Sequence, residues 1–420
     1  MFLTLILFGL ITGIIITIFA YRSDTVGVFM LLAFTAYAVI YYIPLLLVDF
    51  GSVSSGLILS IAVGLFGLVS GLITVFPNLK SRGKGAYMPA ASNFGVILVN
   101  LLFILAIVAI FQSLRMSGGL FVVIEGSGGA EYLDVRVNSK FSGILGLLIW
   151  LAQVPIVLFL YFFITSKKNK LRLGLKYFVS FSVLMAGYIL LTVRHNAVAT
   201  ILALFVTYII LTGFTLRKLM ISFILSLLVV TAFQAIRVTG IDDLSLDSAY
   251  NTTAKSFEHI SVTEDIIHKT NINGFTYFKH LLDVPIFFIP RFLWDEKPRT
   301  SFLNRRYFPQ VASSGSEKAI GIVGEGYSAL GLFGVFINSF VFSLFLSKMQ
   351  SIIDSSENLL IRCLVAAIIT PYAYIGVRTG VFGKHLLSIF IMLFECYIIY
   401  FSFKLRVYLK PSGEGIVASR

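Results

Sequence analysis

Uncharged apolar runs recur along almost the whole chain of 420 residues. A window of about 17–25 residues without charge is long enough to cross the hydrocarbon core of a bilayer as a helix. We count eleven predominantly apolar windows of this length, at roughly 2–20, 26–48, 56–76, 92–111, 141–164, 173–192, 196–215, 219–236, 326–346, 359–377 and 385–403. Three of them contain a charged residue: Lys176 at the rim of the sixth, Arg362 in the tenth and Glu395 in the eleventh. The sequence therefore predicts an all-α polytopic membrane protein with about eleven transmembrane helices.

The composition excludes other classes of protein. Hydrophobic residues make up 58% of the chain and charged residues 13%, whereas an ordinary globular chain carries about 25% charged residues. So much apolar surface needs lipid as its solvent, which excludes collagen-like, disordered and disulfide-rich secreted chains. Because the runs are continuous rather than alternating, they also exclude an outer-membrane barrel. Cys363 and Cys396 lie inside apolar runs and are expected to be packing residues.

The basic residues are concentrated in short connections and in the C-terminal tail. The positive-inside bias predicts that these segments are cytoplasmic, with the N-terminus outside and the C-terminus inside. The run 1–20 has no basic segment before it, so we expect a first transmembrane helix rather than a cleaved signal. The net charge of +13 is then a topology signal, and no nucleic-acid partner is expected.

The opposite, external side is predicted to carry two longer connections on a single integral membrane domain that spans residues 1–420. The larger loop covers 237–325 and has mixed charge, and a smaller loop covers 112–140. Residues 275–294 are too apolar to remain in water and too interrupted by charges and prolines to span. We expect an amphipathic or re-entrant segment against the outer membrane face.

Soluble catalytic signatures are missing from the sequence. It contains no phosphate-binding loop, no dinucleotide fingerprint, no HExxH zinc motif and no G-x-S-x-G nucleophile elbow. An acidic D-x-D that would hold a metal–nucleotide sugar is also missing. We therefore expect neither a metal site nor a nucleotide cofactor.

Two helix tips carry arginines that are predicted to be external. Arg194 and His195 lie in a short turn between the sixth and seventh windows, and Arg378 ends the tenth. A charge at the membrane edge either reaches water or has an anionic partner, and the guanidinium matches pyrophosphate geometry. His195 either caps a helix or acts as a general acid or base.

The large loop adds four arginines within sixteen positions: Arg291, Arg299, Arg305 and Arg306. They either form a solvated loop face or bind phosphate at headgroup depth. Glu325 stands among three glycines just before the ninth window. Its carboxylate either stabilises the N-terminus of the following helix electrostatically or serves as a base. Farther along, Arg362 and Glu395 are expected to form a structural ion pair, with a proton relay as the alternative.

Two stretches resemble the Wzy-type oligosaccharide repeat-unit polymerases. Residues 289–298 (IPRFLWDEKP) are similar to that family's iPR-x-lW-x-x-KP segment, and residues 321–334 (GIVGEGYSALGLFG) resemble its Gly-rich stretch. The number of windows and the single large external loop near the C-terminal third are also similar.

The resemblance implies a GT-C-like glycosyltransferase of the bacterial inner membrane. Its substrates would be oligosaccharides on undecaprenyl pyrophosphate at the periplasmic face, together with membrane lipid and a chain-length regulator protein as partners. Arg194, Arg291 and Arg378, with Arg299 or Arg305, would bind the leaving pyrophosphate. Glu325 or His195 would deprotonate the acceptor hydroxyl.

Three other functions remain open from the residues. An O-antigen ligase uses the same donor with a different acceptor, and composition does not separate it from a polymerase. A flippase or other transporter predicts charges buried midway along several helices and usually an internal repeat, and the sequence shows neither, because its charge is concentrated at the external rim. A membrane acyltransferase would need a histidine beside an acyl tunnel.

Overall fold

The computed structural model consists of helices joined by turns and short irregular segments in the residues that it describes. These are 27–47, 53–75, 93–116, 142–166, 169–191, 194–213, 217, 259–289, 293–294, 296–298, 300–313, 317–380 and 384–409. Within these ranges the chain forms no strand. The predicted all-α class is confirmed, while the windows 2–20 and 219–236 and the smaller loop beyond residue 116 lie outside the described residues.

Six helices in the described part are long and apolar enough to cross a membrane, which supports a multi-pass membrane protein. They are Val28–Leu45, Ser55–Val75, Gly95–Met116, Leu148–Thr165, Gly321–Ser355 and Leu359–Thr379. Two shorter apolar helices, Asn196–Thr212 and Ile389–Phe403, coincide with further predicted windows. The total of about eleven spans stays a prediction.

The helices are numbered in chain order. They are α1 (Val28–Tyr37), a π-helical turn (Ala38–Tyr42), α2 (Ile43–Leu47), α3 (Ser55–Val75), α4 (Asn93–Met116), α5 (Ser142–Leu151), α6 (Gln153–Thr165), α7 (Lys170–Leu190), α8 (Arg194–Thr212), α9 (His259–Asn273), a 3-10 turn (Lys279–Leu282), α10 (Asp283–Phe288), α11 (Phe302–Tyr307), α12 (Pro309–Ser313), α13 (Gly321–Ser355), α14 (Leu359–Thr379) and α15 (Lys384–Leu409).

Small residues allow α3 and α13 to pack closely. A Cβ atom built on Gly67 would lie 2.6 Å from the carbonyl oxygen of Phe336, and one built on Gly71 would lie 2.6 Å from that of Phe340. The Ser343 hydroxyl crosses the same contact and donates to the carbonyl oxygen of Leu68 at 2.6 Å. Contacts of small residues and hydroxyl hydrogen bonds are how helices associate where lipid removes the hydrophobic driving force.

Helix α13 contains a sharp reversal. Leu330 and Gly331 have non-helical backbone angles, and Gly331 has a φ of +64°. The Asn338 amide donates to the carbonyl oxygen of Ile322 at 3.1 Å, although sixteen residues of straight helix would separate them by about 24 Å. Residues 321–329 therefore fold back against residues 332–355 as a helical hairpin. The predicted ninth window, 326–346, thus includes the reversal and is not one straight helix.

Part of the predicted large loop folds into a small cluster of helices, α9 to α12, which we call the loop cluster (residues 259–313). Its apolar centre packs Ile266, Leu303 and Tyr307 together. Arg306 donates to the carbonyl oxygens of Asn273 and Gly274 at 2.9 and 3.0 Å. A cation at this position complements the C-terminal dipole of α9. The cluster contacts α13 and α3 through α9, and α15 through α10.

The expected ion pair between Arg362 and Glu395 is not formed, so this prediction is wrong. The Arg362 Nε atom donates instead to the carbonyl oxygen of Ser356 at 2.6 Å, because Arg362 lies in the first turn of α14 and reaches back to the preceding connection. Glu395 is buried in α15, and neither of its carboxylate oxygens has a hydrogen-bond partner among the described residues.

Candidate functional site

Glu325 lies in the first arm of the α13 hairpin, and its side chain is buried. Only 3% of its surface is exposed. The Asn338 amide, on the second arm, donates to Glu325 Oε2 at 3.0 Å. The reversal at Gly331 is what brings these two side chains together, because thirteen residues separate them along the chain.

The end of α14 covers one face of the Glu325 carboxyl group. A Cβ atom built on Gly380 would lie 2.9 Å from Glu325 Cδ and 3.0 and 3.1 Å from its two oxygens. Gly380 also has a φ of +107°, a conformation that residues with a side chain rarely adopt. Glycine is therefore required at this position for two reasons: the positive φ of its backbone and the close approach of the Glu325 carboxyl group. Arg378 lies two residues earlier, in the last turn of α14.

His280 approaches Glu325 from the loop cluster. Its Nε2 atom lies 3.6 Å from Glu325 Oε1, and both side chains are 4% exposed. Burial lowers the pKa of His280 from its ordinary value of 6.5 to about 4. The imidazole is therefore neutral at neutral pH, and it carries one N–H donor and one acceptor nitrogen.

The segment that carries His280 is fixed to the α13 reversal by backbone hydrogen bonds. The amides of Thr276 and Tyr277 donate to the carbonyl oxygens of Ser328 and Ala329 at 2.8 and 3.1 Å. Tyr277 and Phe278 both have positive φ values, 48° and 59°. Strained backbone of this kind persists only where surrounding contacts impose it, and it is frequent at functional sites.

Two tyrosines complete the surroundings of the carboxylate. The backbone amide of Val323 donates to the buried Tyr41 hydroxyl at 3.4 Å, and Thr263 on α9 is a second hydrogen-bond partner of this hydroxyl. The negative charge of Glu325 disfavours ionisation of the Tyr41 and Tyr372 hydroxyls. The site therefore joins α13, α14, the π-helical turn after α1 and the loop cluster.

The structure brings together only some of the residues that the sequence singles out. Glu325 and Gly380, just after α14, are neighbours, and Arg378 lies two residues before that glycine in the chain. Arg194 begins α8, but its side chain and that of His195 lie outside the described residues, as do Arg291 and Arg299.

Arg305 already has anionic and carbonyl partners within the loop cluster. Its Nη2 atom lies 3.3 Å from Asp283 Oδ1, and its Nη1 atom donates to the carbonyl oxygen of Thr300. Asp283 is 3% exposed and also accepts a hydrogen bond from the amide of Phe302. This guanidinium is therefore part of the contacts that connect α10 with α11.

Sequence reasoning missed His280 as a partner of Glu325. Forty-five residues separate the two along the chain, and neither a motif nor a helical spacing relates them.

Within the described residues, no group of three His, Cys, Asp or Glu side chains could hold a metal ion. Comparisons of the chain with family models, with curated proteins and with solved structures gave no match.

Proposed function

We propose that this protein is a glycosyltransferase that joins undecaprenyl-pyrophosphate-linked oligosaccharide units into a surface polysaccharide. The observation that carries the proposal is the enclosed Glu325 carboxylate, which lies beside a neutral imidazole and the arginine-bearing end of α14. An acid–base group close to a helix end that carries an arginine suits a reaction in which a hydroxyl loses its proton and a pyrophosphate leaves. The resemblance of residues 289–298 and 321–334 to the Wzy-type polymerases agrees with this chemistry.

In the proposed reaction the acceptor hydroxyl oxygen bonds to the anomeric carbon of the donor glycan. The bond from that carbon to the pyrophosphate oxygen breaks, and its electron pair leaves with the lipid pyrophosphate. The hydroxyl proton passes to the acid–base group at Glu325, or to His195. Arg378, with Arg194, Arg291 and Arg299, balances the charge that develops on the pyrophosphate. Arg305 holds the loop cluster together through Asp283.

The proposal also assigns a cellular setting. The loop cluster faces the periplasm of a bacterial inner membrane, with the N-terminus periplasmic and the C-terminus cytoplasmic. The bundle has a GT-C-like arrangement of about eleven spans. Lipid-linked units arrive laterally from the bilayer, and a chain-length regulator is a protein partner.

The test is complementation of a gene deletion in the native strain, with surface glycan separated on a gel. We expect the deletion to leave core with a single repeat and no ladder, and wild type to restore the ladder. Four variants should fail to restore the ladder although their protein levels are normal: Glu325→Gln, Arg378→Ala, Arg194→Ala and Arg291→Ala. Matched controls are Glu357→Gln and Arg172→Ala, which alter exposed side chains and should restore the ladder.

Other outcomes identify other functions. Polymer that accumulates on the lipid carrier, with no glycan on the core, indicates a ligase. An unchanged ladder in the deletion, or full activity of all three arginine variants, contradicts the proposal.

A transporter is the second candidate, and Glu395 is the observation that favours it. Among the described residues this buried carboxyl group has no hydrogen-bond partner, and it lies on an apolar helix, which is the setting of proton-carrying groups in transporters. Unpolymerised units trapped on the cytoplasmic side of the deletion strain would support it, and normal export would exclude it.

A further inference from the structure

The contacts of Glu325 leave little room for a direct encounter with a sugar hydroxyl. Oε2 accepts the Asn338 amide, and Oε1 faces His280 Nε2. Gly380 lies against one face of the group, where an added Cβ atom would be only 2.9 Å from Cδ. A substrate hydroxyl could reach either oxygen only by displacing one of these neighbours.

His280, in contrast, has unused hydrogen-bonding capacity. If Nε2 carries the ring proton and directs it at Glu325 Oε1, Nδ1 is the acceptor nitrogen of the neutral ring. Both ring nitrogens are buried and neither makes a hydrogen bond with the described residues; Nε2 faces Oε1 at 3.6 Å, and Nδ1 has no such neighbour. A carboxylate behind one nitrogen fixes the tautomer and stabilises the imidazolium once the other nitrogen takes a proton.

The position of His280 on the chain favours contact with an incoming molecule. It belongs to the 3-10 turn of the loop cluster, in which Leu282 is 66% exposed, and Tyr277, two residues before the turn, is 67% exposed. Glu325 belongs to the helical hairpin behind that turn.

We infer that His280 receives the proton of the acceptor hydroxyl and that Glu325 is a positioning residue behind it. This inference rests on the proposed function and replaces the direct role of Glu325 in it. The acceptor oxygen bonds to the anomeric carbon, the carbon–pyrophosphate bond breaks, and the proton goes to Nδ1. The resulting imidazolium is stabilised by Glu325 at Nε2 and then releases the proton to water.

The experiment uses the purified full-length protein in liposomes, with lipid-linked repeat units extracted from the deletion strain. For His280→Gln and His280→Asn we measure turnover and, separately, retention, which is the amount of lipid-linked unit that stays bound to the protein. Neither glutamine nor asparagine can take up a proton near neutral pH. His268→Gln, on the exposed face of α9, is the matched control. We expect turnover to fall by about 10²–10⁴-fold in both His280 variants, with retention unchanged and with the control equal to wild type.

Two further measurements separate proton transfer from a structural role. Added imidazole should restore part of the turnover of His280→Ala, which a packing defect would not show. Glu325→Gln combined with His280→Gln should be no slower than the slower single variant, because residues that act as one unit are not additive.

The contrary outcomes are distinct. Wild-type turnover in both His280 variants, or independent effects in the double variant, overturns the inference and leaves the proposed function intact. A wild-type protein that forms no polymer from these units, in a strain whose deletion leaves the ladder unchanged, overturns both.

Discussion

At the scale of single residues, the burial of Glu325 carries a high energetic cost. A carboxylate removed from water is strongly unfavourable unless its oxygens are bonded or paired. Here the Asn338 amide meets one oxygen and the imidazole of His280 lies near the other. All three side chains lie where transmembrane helices meet the loop cluster, so the cost is concentrated at the candidate site.

Gly380→Ala tests whether close packing holds the carboxylate in place. The added methyl group would overlap Glu325, and the backbone at φ +107° is unfavourable for alanine. We expect loss of the glycan ladder and a lower thermal unfolding midpoint in detergent.

Gly213→Ala is the matched control for this substitution. Gly213 also has a positive φ, +82°, but no atom of the described residues lies within 4 Å of the position that an added methyl group would take. It should therefore show backbone strain of roughly 1–2 kcal/mol and retain the ladder. Equal activity of the two variants would show that the contact between Gly380 and Glu325 is unimportant.

The sequence indicates some of these residues and not others. Glu325 stands out because a carboxylate among glycines before an apolar window is unusual. Asn338 and His280 do not, because their role depends on the chain reversal and on the docking of the loop cluster. Such contacts between distant segments leave no periodic pattern in a single sequence.

At the scale of elements, apolar windows predict helices well because length and lack of charge are sufficient to define a span. The ends of α3, α4 and α14 lie within about five residues of the ends of the windows 56–76, 92–111 and 359–377. The reversal in α13 was not predicted. Leu330 and Gly331 lie in an apolar stretch that looks continuous, and glycine alone does not distinguish a turn from close packing.

Gly67→Ala tests the contact between α3 and α13. Its methyl group would meet a backbone carbonyl oxygen at 2.6 Å and the Cβ atom of Ser339 at 3.0 Å, and neither atom can rotate away. We expect a loss of about 1–3 kcal/mol in the free energy of unfolding, measured by denaturation in detergent micelles.

The matched control lies on the same helix. A Cβ atom on Gly56 would find only a side-chain methyl group of Ile267 among the described residues, at 4.0 Å, so Gly56→Ala should remain close to wild type. If both variants unfold at the same denaturant concentration, the helices do not pack as closely as described.

At the scale of the whole molecule, the arrangement of helices predicts which segments share a side of the membrane. Residue 277 lies on the loop cluster, and residue 357 lies in the connection between α13 and α14. Both side chains are exposed, whereas Cys363 and Cys396 are buried. We expect Tyr277→Cys to react with an impermeant maleimide on intact spheroplasts, and Glu357→Cys to react only after the membrane is permeabilised.

The labelling result bears directly on the orientation. Reversed labelling would place the loop cluster and Glu325 in the cytoplasm, where the pyrophosphate-linked units of the proposal are not polymerised. Labelling of both positions from one side would contradict the assignment of α13 as a membrane-crossing helix.

The hairpin in α13 also fixes the number of residues between Glu325 and Asn338. Glu325 and Asn338 meet only because the chain between them contains the number of residues that the turn at Leu330 and Gly331 requires. One inserted or deleted residue would rotate an arm by about 100° about its axis, and it would carry the carboxylate away from both its amide donor and His280. This stretch is therefore constrained in register as well as in composition, so related chains should accumulate insertions elsewhere and not between these two positions.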